Sequence, residues 1–282
     1  MADTGNISSI RNINNANIPR IVHYCWFGKG EKPKLIQRCI ASWKRLLPEY
    51  EIREWNEDNY DVEMIPYTAQ AYKIKKYAFV SDYARLWLLK QYGGFYLDTD
   101  VEVLKPLEAF RQHPCFFGFE SDRNVAPGLI MGCKANHPIL SELMAFYEQN
   151  DFVSKDGVIS TYTTVQNCTA VLLRHGLILD ASLRQTLGDI TVYEKNVFCP
   201  DRAARESGNY APETVTAHHY AASWRSEAYN RRLRKPIWHK VVELSSFAGK
   251  CAAKVLGQSR WDSIKRRYLR NIYDCMRGVK EK

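Results

Sequence analysis

"AFVSDYARLWLLKQYGGFYLDTDVEVLKPL", residues 78–107, decides how this chain is read. Its first half carries apolar residues on nearly every face of a helix, expected over 71–94 and stopped by the pair Gly93-Gly94. The helix feeds a short apolar strand that runs into Asp98 and Asp100. Strands disfavour Asp, and charged side chains are seldom buried unless paired or bound to metal. Residues two apart on a strand point to the same side, so the two carboxylates would lie together. Like charges held side by side repel unless a cation or a proton is shared between them. The stretch therefore predicts a cation at a strand end.

The same alternation continues on both sides. "IPRIVHYCWFG" (18–28) reads as a strand and turn, "KPKLIQRCIASWKRLLP" (32–48) as an amphipathic helix, and "YEIREWN" (50–56) as a strand. Downstream, 115–120 and 128–132 read as strands, 137–150 and 164–176 as helices. Strands alternating with helices predict an α/β fold with a largely parallel sheet. Ligands of such sheets bind at the carboxyl ends of strands, which is where Asp98 and Asp100 fall.

Length and composition are those of an ordinary globular protein: 282 residues, 45% hydrophobic and 25% charged. No apolar run is long enough for a membrane span. The eight cysteines form no C-x-x-C pair, which predicts reduced thiols and no structural zinc site. The net charge of +9 is unevenly placed. Residues 229–282 hold fifteen Lys/Arg against four Asp/Glu, so the rest of the chain is close to neutral. Three segments are expected: a polar leader over 1–17, a catalytic domain over 18–228 and a basic helical extension over 229–282.

Three groups of residues carry the expected chemistry. Asp98 and Asp100 offer oxygen ligands suited to Mn²⁺ or Mg²⁺; a solvated turn is the plain alternative. Asp82 and Arg85 share a helix face in "VSDYARLWLL" (80–89), either as a surface ion pair or as a semi-buried fork aimed at a sugar or phosphate. "TAHHYAASWRS" (216–226) holds two histidines that point to opposite faces, so at most one can complete an Asp–Asp–His shell.

With these blocks in order, the chain resembles the D-x-D sugar-transferase family, which includes bacterial capsule and lipopolysaccharide transferases and yeast outer-chain mannosyltransferases. "IPRIVHYCWFG", the quoted middle block with S-D-x-x-R and Y-G-G-x-Y-x-D-x-D, and "AHHYAASW" carry the likeness across 18–224. The resemblance implies a GT-A fold, with a Rossmann-like mixed sheet flanked by helices. It also implies a nucleotide-sugar donor, a divalent metal and transfer with retention. Trp26 is similar to the aromatic that stacks on the donor base, and Asp82 and Arg85 to the pair that contacts the donor sugar. Tyr96 precedes the acidic pair as in relatives. Asp98 matches the carboxylate that reaches donor hydroxyls and metal-bound water, and Asp100 the direct metal ligand. His218 aligns with the family's histidine, with His219 as alternative, and Ser223 and Trp224 with the Ser-Trp element that closes over the diphosphate. One departure stands out. Where relatives carry a T-G-P turn, this chain reads "STYTTVQNC" (160–168), and that region helps shape the acceptor side.

A double displacement needs a carboxylate nucleophile on the far face of the sugar; Glu120 and Asp122 are the nearby ones, and a front-face route is equally open. The acceptor is expected to be a glycan or a lipid-linked sugar in surface polysaccharide synthesis, with a UDP- or GDP-sugar as donor. The basic extension suggests contact with anionic membrane rather than nucleic acid, and a cytoplasmic chain peripheral to the inner membrane face. Two rival readings fit the sequence less well. A D-x-D phosphohydrolase would need Thr or Val where Glu102 stands, and a non-enzymatic binding module acting through the extension would leave the ordered upstream blocks unexplained.

Overall fold

The computed structural model of the chain describes residues 17–221; Ser223, Trp224 and the basic extension lie outside the described residues. One main sheet runs in the order β2-β1-β3-β7-β5-β9-β8, formed by Glu51–Trp55, Ile21–Cys25, Gly94–Tyr96, Met131–Cys133, Cys115–Ser121, Ile190–Tyr193 and Gln185–Leu187. A two-residue strand, β6 (Asn124–Val125), folds back on β5. The α/β class is as expected and the sheet is mixed: β1 runs parallel to β2 and β3, whereas β7 is antiparallel to β3 and β5.

Helices cover both faces. α1 (Lys34–Leu46) buries Ile36, Cys39, Ile40 and Trp43, a spacing of one helical face. The Trp43 indole N–H donates to the Val101 carbonyl at 2.8 Å, tying this helix to β4 (Val101–Val103). The other face holds α2 (Pro66–Lys73), α3 (Tyr77–Tyr92), α4 (Pro138–Gln149) and α5 (Thr164–Arg174). α3 is buried on almost every side, through Val80, Tyr83, Leu86, Leu88 and Leu89, and Asp82 and Arg85 are buried with them. Smaller helices α6 (Lys195–Phe198) and α7 (Arg202–Ser207) lead to β10 (Thr216–His218), which pairs antiparallel with β4.

Two expectations are corrected. The helix expected over 71–94 is two helices, because Lys75 takes a left-handed backbone (φ 58°) and breaks the hydrogen-bond ladder before α3 begins. Asp98 and Asp100 are not side by side on a strand. They occupy the turn between β3 and β4, closed by the Val101 amide donating to the Asp98 carbonyl at 3.0 Å. Their approach to one another is therefore set by tertiary partners rather than by strand period.

Gly93 and Gly94 end α3 and start β3 with positive φ values of 63° and 106°. A Cβ on Gly93 would lie 2.8 Å from the Ala135 amide, and one on Gly94 2.7 Å from the Ile21 carbonyl oxygen. Only glycine satisfies both the backbone and the space. The pair delivers β3 against β1 and aims the D-x-D turn.

Candidate active site

Asp82, one turn before Arg85 on α3, and Asp98, in the β3–β4 turn, meet at a single guanidinium. Arg85 Nη2 lies 3.0 Å from Asp82 Oδ1 and 3.2 Å from Asp98 Oδ1, while Nε donates to the Ser81 carbonyl at 3.1 Å. The Arg85 guanidinium carbon sits 4.7 Å from the centre of the Tyr96 ring. This is a planar fork fixed from both its edge and its face, the kind of site for which lysine is no substitute. The surface ion pair weighed for Asp82 and Arg85 is thus excluded, since the Arg85 side chain is only 4% exposed. Removing one partner of such a buried group typically costs about 3–5 kcal/mol.

Tyr96 is buried, with its ring under the Arg85 guanidinium. Trp26 directly follows β1, partly exposed, with its indole N–H donating to the Gly30 carbonyl at 2.6 Å and the Lys32 ammonium 5.7 Å from its ring. It stands at the same carboxyl edge of the sheet as the turn, because β1 and β3 are parallel neighbours.

Asp100 is held by the last described strand. Its Oδ1 faces His218 Nε2 at 3.1 Å and its Oδ2 accepts from the Ala221 amide at 2.7 Å, while its carbonyl accepts from the His219 amide at 2.9 Å. The choice between the two histidines is thereby decided. His219 points the other way, to Glu102 Oε2 at 2.8 Å, as alternation along a strand requires. His218 stacks on Tyr220 (4.1 Å between centroids), and the Tyr220 hydroxyl contacts Cys199 Sγ at 3.0 Å.

One oxygen or nitrogen from each of Asp98, Asp100 and His218 lies within 4.8 Å of the others. His218 Nδ1 is buried without a hydrogen-bond partner among the described residues. Two carboxylates and an imidazole suit a hard or borderline divalent cation such as Mn²⁺, so the residues fit the metal that D-x-D chemistry implies. Electrostatics separates the two aspartates. Burial raises the Asp98 carboxyl, which the Arg85 charge only partly offsets and Asp100 reinforces. Burial also opposes ionisation of Asp100, but the His218 charge and hydrogen bond and the Ala221 amide together hold it below the ordinary range. Asp82, deepest of the three, is pushed up to about 6, first by burial, with Arg85 opposing and Asp98 adding.

Gly128 is the functional position that the motifs did not reveal. It precedes β7 on the loop facing the turn, and its carbonyl accepts from the Asp98 amide at 3.0 Å. A Cβ there would fall 2.0 Å from Asp98 Oδ2 and 3.0 Å from Arg85 Nη1. In the sequence it sits in the Pro-Gly pair of "APGLIMG", which marks a turn but not the partner that the turn faces. Of the two acidic residues weighed as nucleophile, Glu120 acts on the charge of His218, whereas Asp122 is exposed in the β5–β6 turn.

A second cluster, Cys115, Cys133 and His137, is also compact and buried. His137 Nδ1 accepts from the Ile139 amide at 3.4 Å and its Nε2 faces Asp189 Oδ2 at 3.1 Å. Its ring is thus engaged as a helix cap. The six described cysteines are all free and buried, as reduced thiols would be.

Residues 33–117, which span α1 to the start of β5, match the family described as the glycosyltransferase sugar-binding region containing DXD motif. Over these residues the chain is similar to the DXD glycosyltransferases. Glycosyl transfer is the reaction class that this match supports. Among relatives, an uncharacterized glycosyltransferase of Acanthamoeba polyphaga mimivirus is 26% identical over 73% of this chain and 84% of its own length. Inositol phosphoceramide mannosyltransferase 3 of Schizosaccharomyces pombe is 27% identical over 46% of this chain and 37% of its own length. Solved structures with some likeness include the PaToxG glycosyltransferase, at a TM-score of 0.45, 18% identity, 56% of this chain and 70% of that one. The galactosyltransferase LgtC has a TM-score of 0.40 at 13% identity, over 73% of this chain and 90% of that one.

Proposed function

We propose that the chain is a metal-dependent, retaining glycosyltransferase that moves a hexose from a nucleotide-diphosphate sugar to a glycan or lipid-linked acceptor. The observation that carries this reading is the convergence of Asp98, Asp100 and His218 beside a guanidinium shared by Asp82 and Asp98. A divalent cation held by Asp98, Asp100 and His218 would offset negative charge developing on the leaving diphosphate. The protein's own part is orientation. Arg85 keeps Asp82 and Asp98 at fixed positions from which their oxygens accept sugar hydroxyls, and such positioning accounts for several kcal/mol of a barrier. Trp26 offers an aromatic face at the same sheet edge for the donor base; Ser223 and Trp224, which the family likeness would assign to the diphosphate, lie outside the described residues.

The name of the fission-yeast relative favours mannose as the hexose and an inositol-bearing lipid as one acceptor class. A role in surface polysaccharide synthesis remains compatible with a lipid-linked acceptor, and a cytoplasmic chain at the inner membrane face would meet it. Retention is carried over from the family likeness; Glu120 adds, after Asp100 and Asp98, to the negative charge that acts on His218.

The test is hydrolysis of a panel of UDP- and GDP-sugars with Mn²⁺ by the full chain, by Asp100→Ala and by wild type in chelator. One donor is expected to turn over, with a loss of at least ~100-fold in the variant and in chelator. Absence of turnover together with absence of metal-dependent nucleotide binding in calorimetry would sink this reading.

A further inference from the structure

Cys115 opens β5 and Cys133 closes β7, and the ladder places them directly opposite each other. The Lys134 amide donates to the Pro114 carbonyl at 2.8 Å just outside the pair. This is the non-hydrogen-bonded position of an antiparallel ladder, where facing side chains lie closest. Beyond Cys133 the chain turns at Asn136, whose backbone is left-handed (φ 57°), and brings His137 back to the pair at the start of α4. The two sulfurs and a ring nitrogen of His137 all lie within 4.8 Å of one another. Both thiols are 0% exposed and His137 is 7% exposed.

Nε2 of this ring makes no hydrogen bond among the described residues. Asp189 Oδ2, from the turn between β8 and β9, stands 3.1 Å from it but out of line for one. Metal bonds of about 2.0 Å at tetrahedral angles put two nitrogen or oxygen ligands roughly 3.3 Å apart, so the contact has the length expected of two ligands on one zinc. Burial and the Cys133 thiol beside it push the Cys115 thiol up, so without a cation the pair stays protonated. A divalent cation reverses this, because two thiolates cancel its charge and a site without net charge can lie in a dry core. Asp189 brings its own charge at the exposed rim. Thiolate and imidazole suit zinc, whereas Mn²⁺ and Mg²⁺ prefer the oxygens of the D-x-D turn. Binding at Nε2 moves the ring proton to Nδ1 and gives up only the 3.4 Å contact with the Ile139 amide, too long to be a strong bond.

We propose that Cys115, Cys133 and His137 hold a structural zinc ion, with Asp189 as the fourth ligand. The site is separate from the D-x-D turn. β7 runs antiparallel to β3 with Gly94 opposite Cys133, so the cluster lies at the sheet edge where β3 begins, and Asp98 follows the other end of that strand. The ion ties β5, β7, α4 and the β8–β9 turn together across long stretches of chain. Its ligands come from separate elements rather than from one knuckle, which is why no C-x-x-C pair announces it.

Metal analysis of the full chain, produced in zinc-supplemented medium, is expected to find about one zinc per chain. Cys115→Ala and Cys133→Ala should each fall to about a tenth of that or less. Cys39→Ala, which removes a buried thiol on α1, and Asp100→Ala should keep the wild-type content. Cobalt taken up in place of zinc should give a thiolate-to-cobalt charge-transfer band, which an Asp–Asp–His site cannot produce. Chelator is expected to lower the melting temperature of wild type and of Asp100→Ala by on the order of 10 °C, and that of Cys115→Ala hardly at all. If the cysteine variants fail to fold, the metal content and cobalt spectrum of wild type decide. Less than about a tenth of a zinc per chain, with no charge-transfer band, overturns the inference. Zinc retained in both cysteine variants overturns it too. A Cys115–Cys133 disulfide found by mass spectrometry of the unreduced chain also refutes it, and makes the pair an oxidised clip. The donor reading stands or falls apart from all of these results.

Discussion

Arg85 and Gly128 together hold Asp98 in place, one by charge and the other by having no side chain. With Cβ 2.0 Å from Asp98 Oδ2, alanine at 128 must displace the carboxylate that Arg85 fixes at 3.2 Å. Misplacing a positioning group by about 1 Å costs on the order of 100-fold in rate. Gly128→Ala is therefore expected to reduce donor hydrolysis about 100-fold, read by kcat on the purified variant. Far-ultraviolet circular dichroism should stay native, because the clash is with a side chain at the sheet edge. Activity near wild type would mean that Asp98 is free to move. Of the residues in this site, Asp82, Arg85, Asp98 and Asp100 were legible because their spacing is local. Gly128 was not, since its partner lies thirty positions away.

At the scale of the element, β1 is anchored by a histidine that must stay neutral. His23 is fully buried; its Nε2 donates to the Gly93 carbonyl at 2.9 Å and its Nδ1 accepts from the Trp55 indole N–H at 3.0 Å. These two partners fix the tautomer and leave no acceptor for a second proton. Burial accordingly lowers the group to about 4, against 6.5 unperturbed. Between those values the unfolded chain binds a proton that the folded chain refuses. Stability from this residue is whole above pH 6.5 and falls as pH drops toward 4, by up to ~1.4 kcal/mol per pH unit and about 3 kcal/mol in all. Urea midpoints of wild type and His23→Gln between pH 7.5 and 4.5 test this. The variant should be less stable at neutral pH yet show the shallower slope, and parallel slopes would refute the assignment. Helices α1, α4 and α5 were readable from their apolar spacing, and α4 and α5 start with Pro138 at the first turn and Thr163 as a capping box. The break at Lys75 was not, because nothing in "AYKIKKY" marks a left-handed residue.

For the whole molecule, the uneven charge makes a prediction of its own. Residues 229–282 carry fifteen Lys/Arg against four Asp/Glu, and interleaved aromatics suit an anionic lipid surface. The full chain should co-sediment with phosphatidylglycerol vesicles at ~0.1 M salt, release as screening shortens to a few ångströms near 1 M, and ignore phosphatidylcholine vesicles. Equal binding to both, or none to either, would leave the extension without a membrane role. Among the described residues no helix is long and apolar enough to cross a membrane.

The amino-acid sequence by itself carried the likeness to DXD glycosyltransferases and the α/β alternation, because D-x-D, S-D-x-x-R and the helix and strand periods are written in consecutive residues. Tertiary structure alone decided which groups meet. His218 rather than His219 faces Asp100 because β10 pairs with β4 in one register, across more than a hundred residues. Asp98 and Asp100 converge through a turn and its partners, not through strand period. Tyr67 meets Tyr147 because α2 and α4 pack on one face of the sheet. Local pattern encodes local geometry, whereas contacts between distant segments depend on register and packing, which no short stretch of sequence contains.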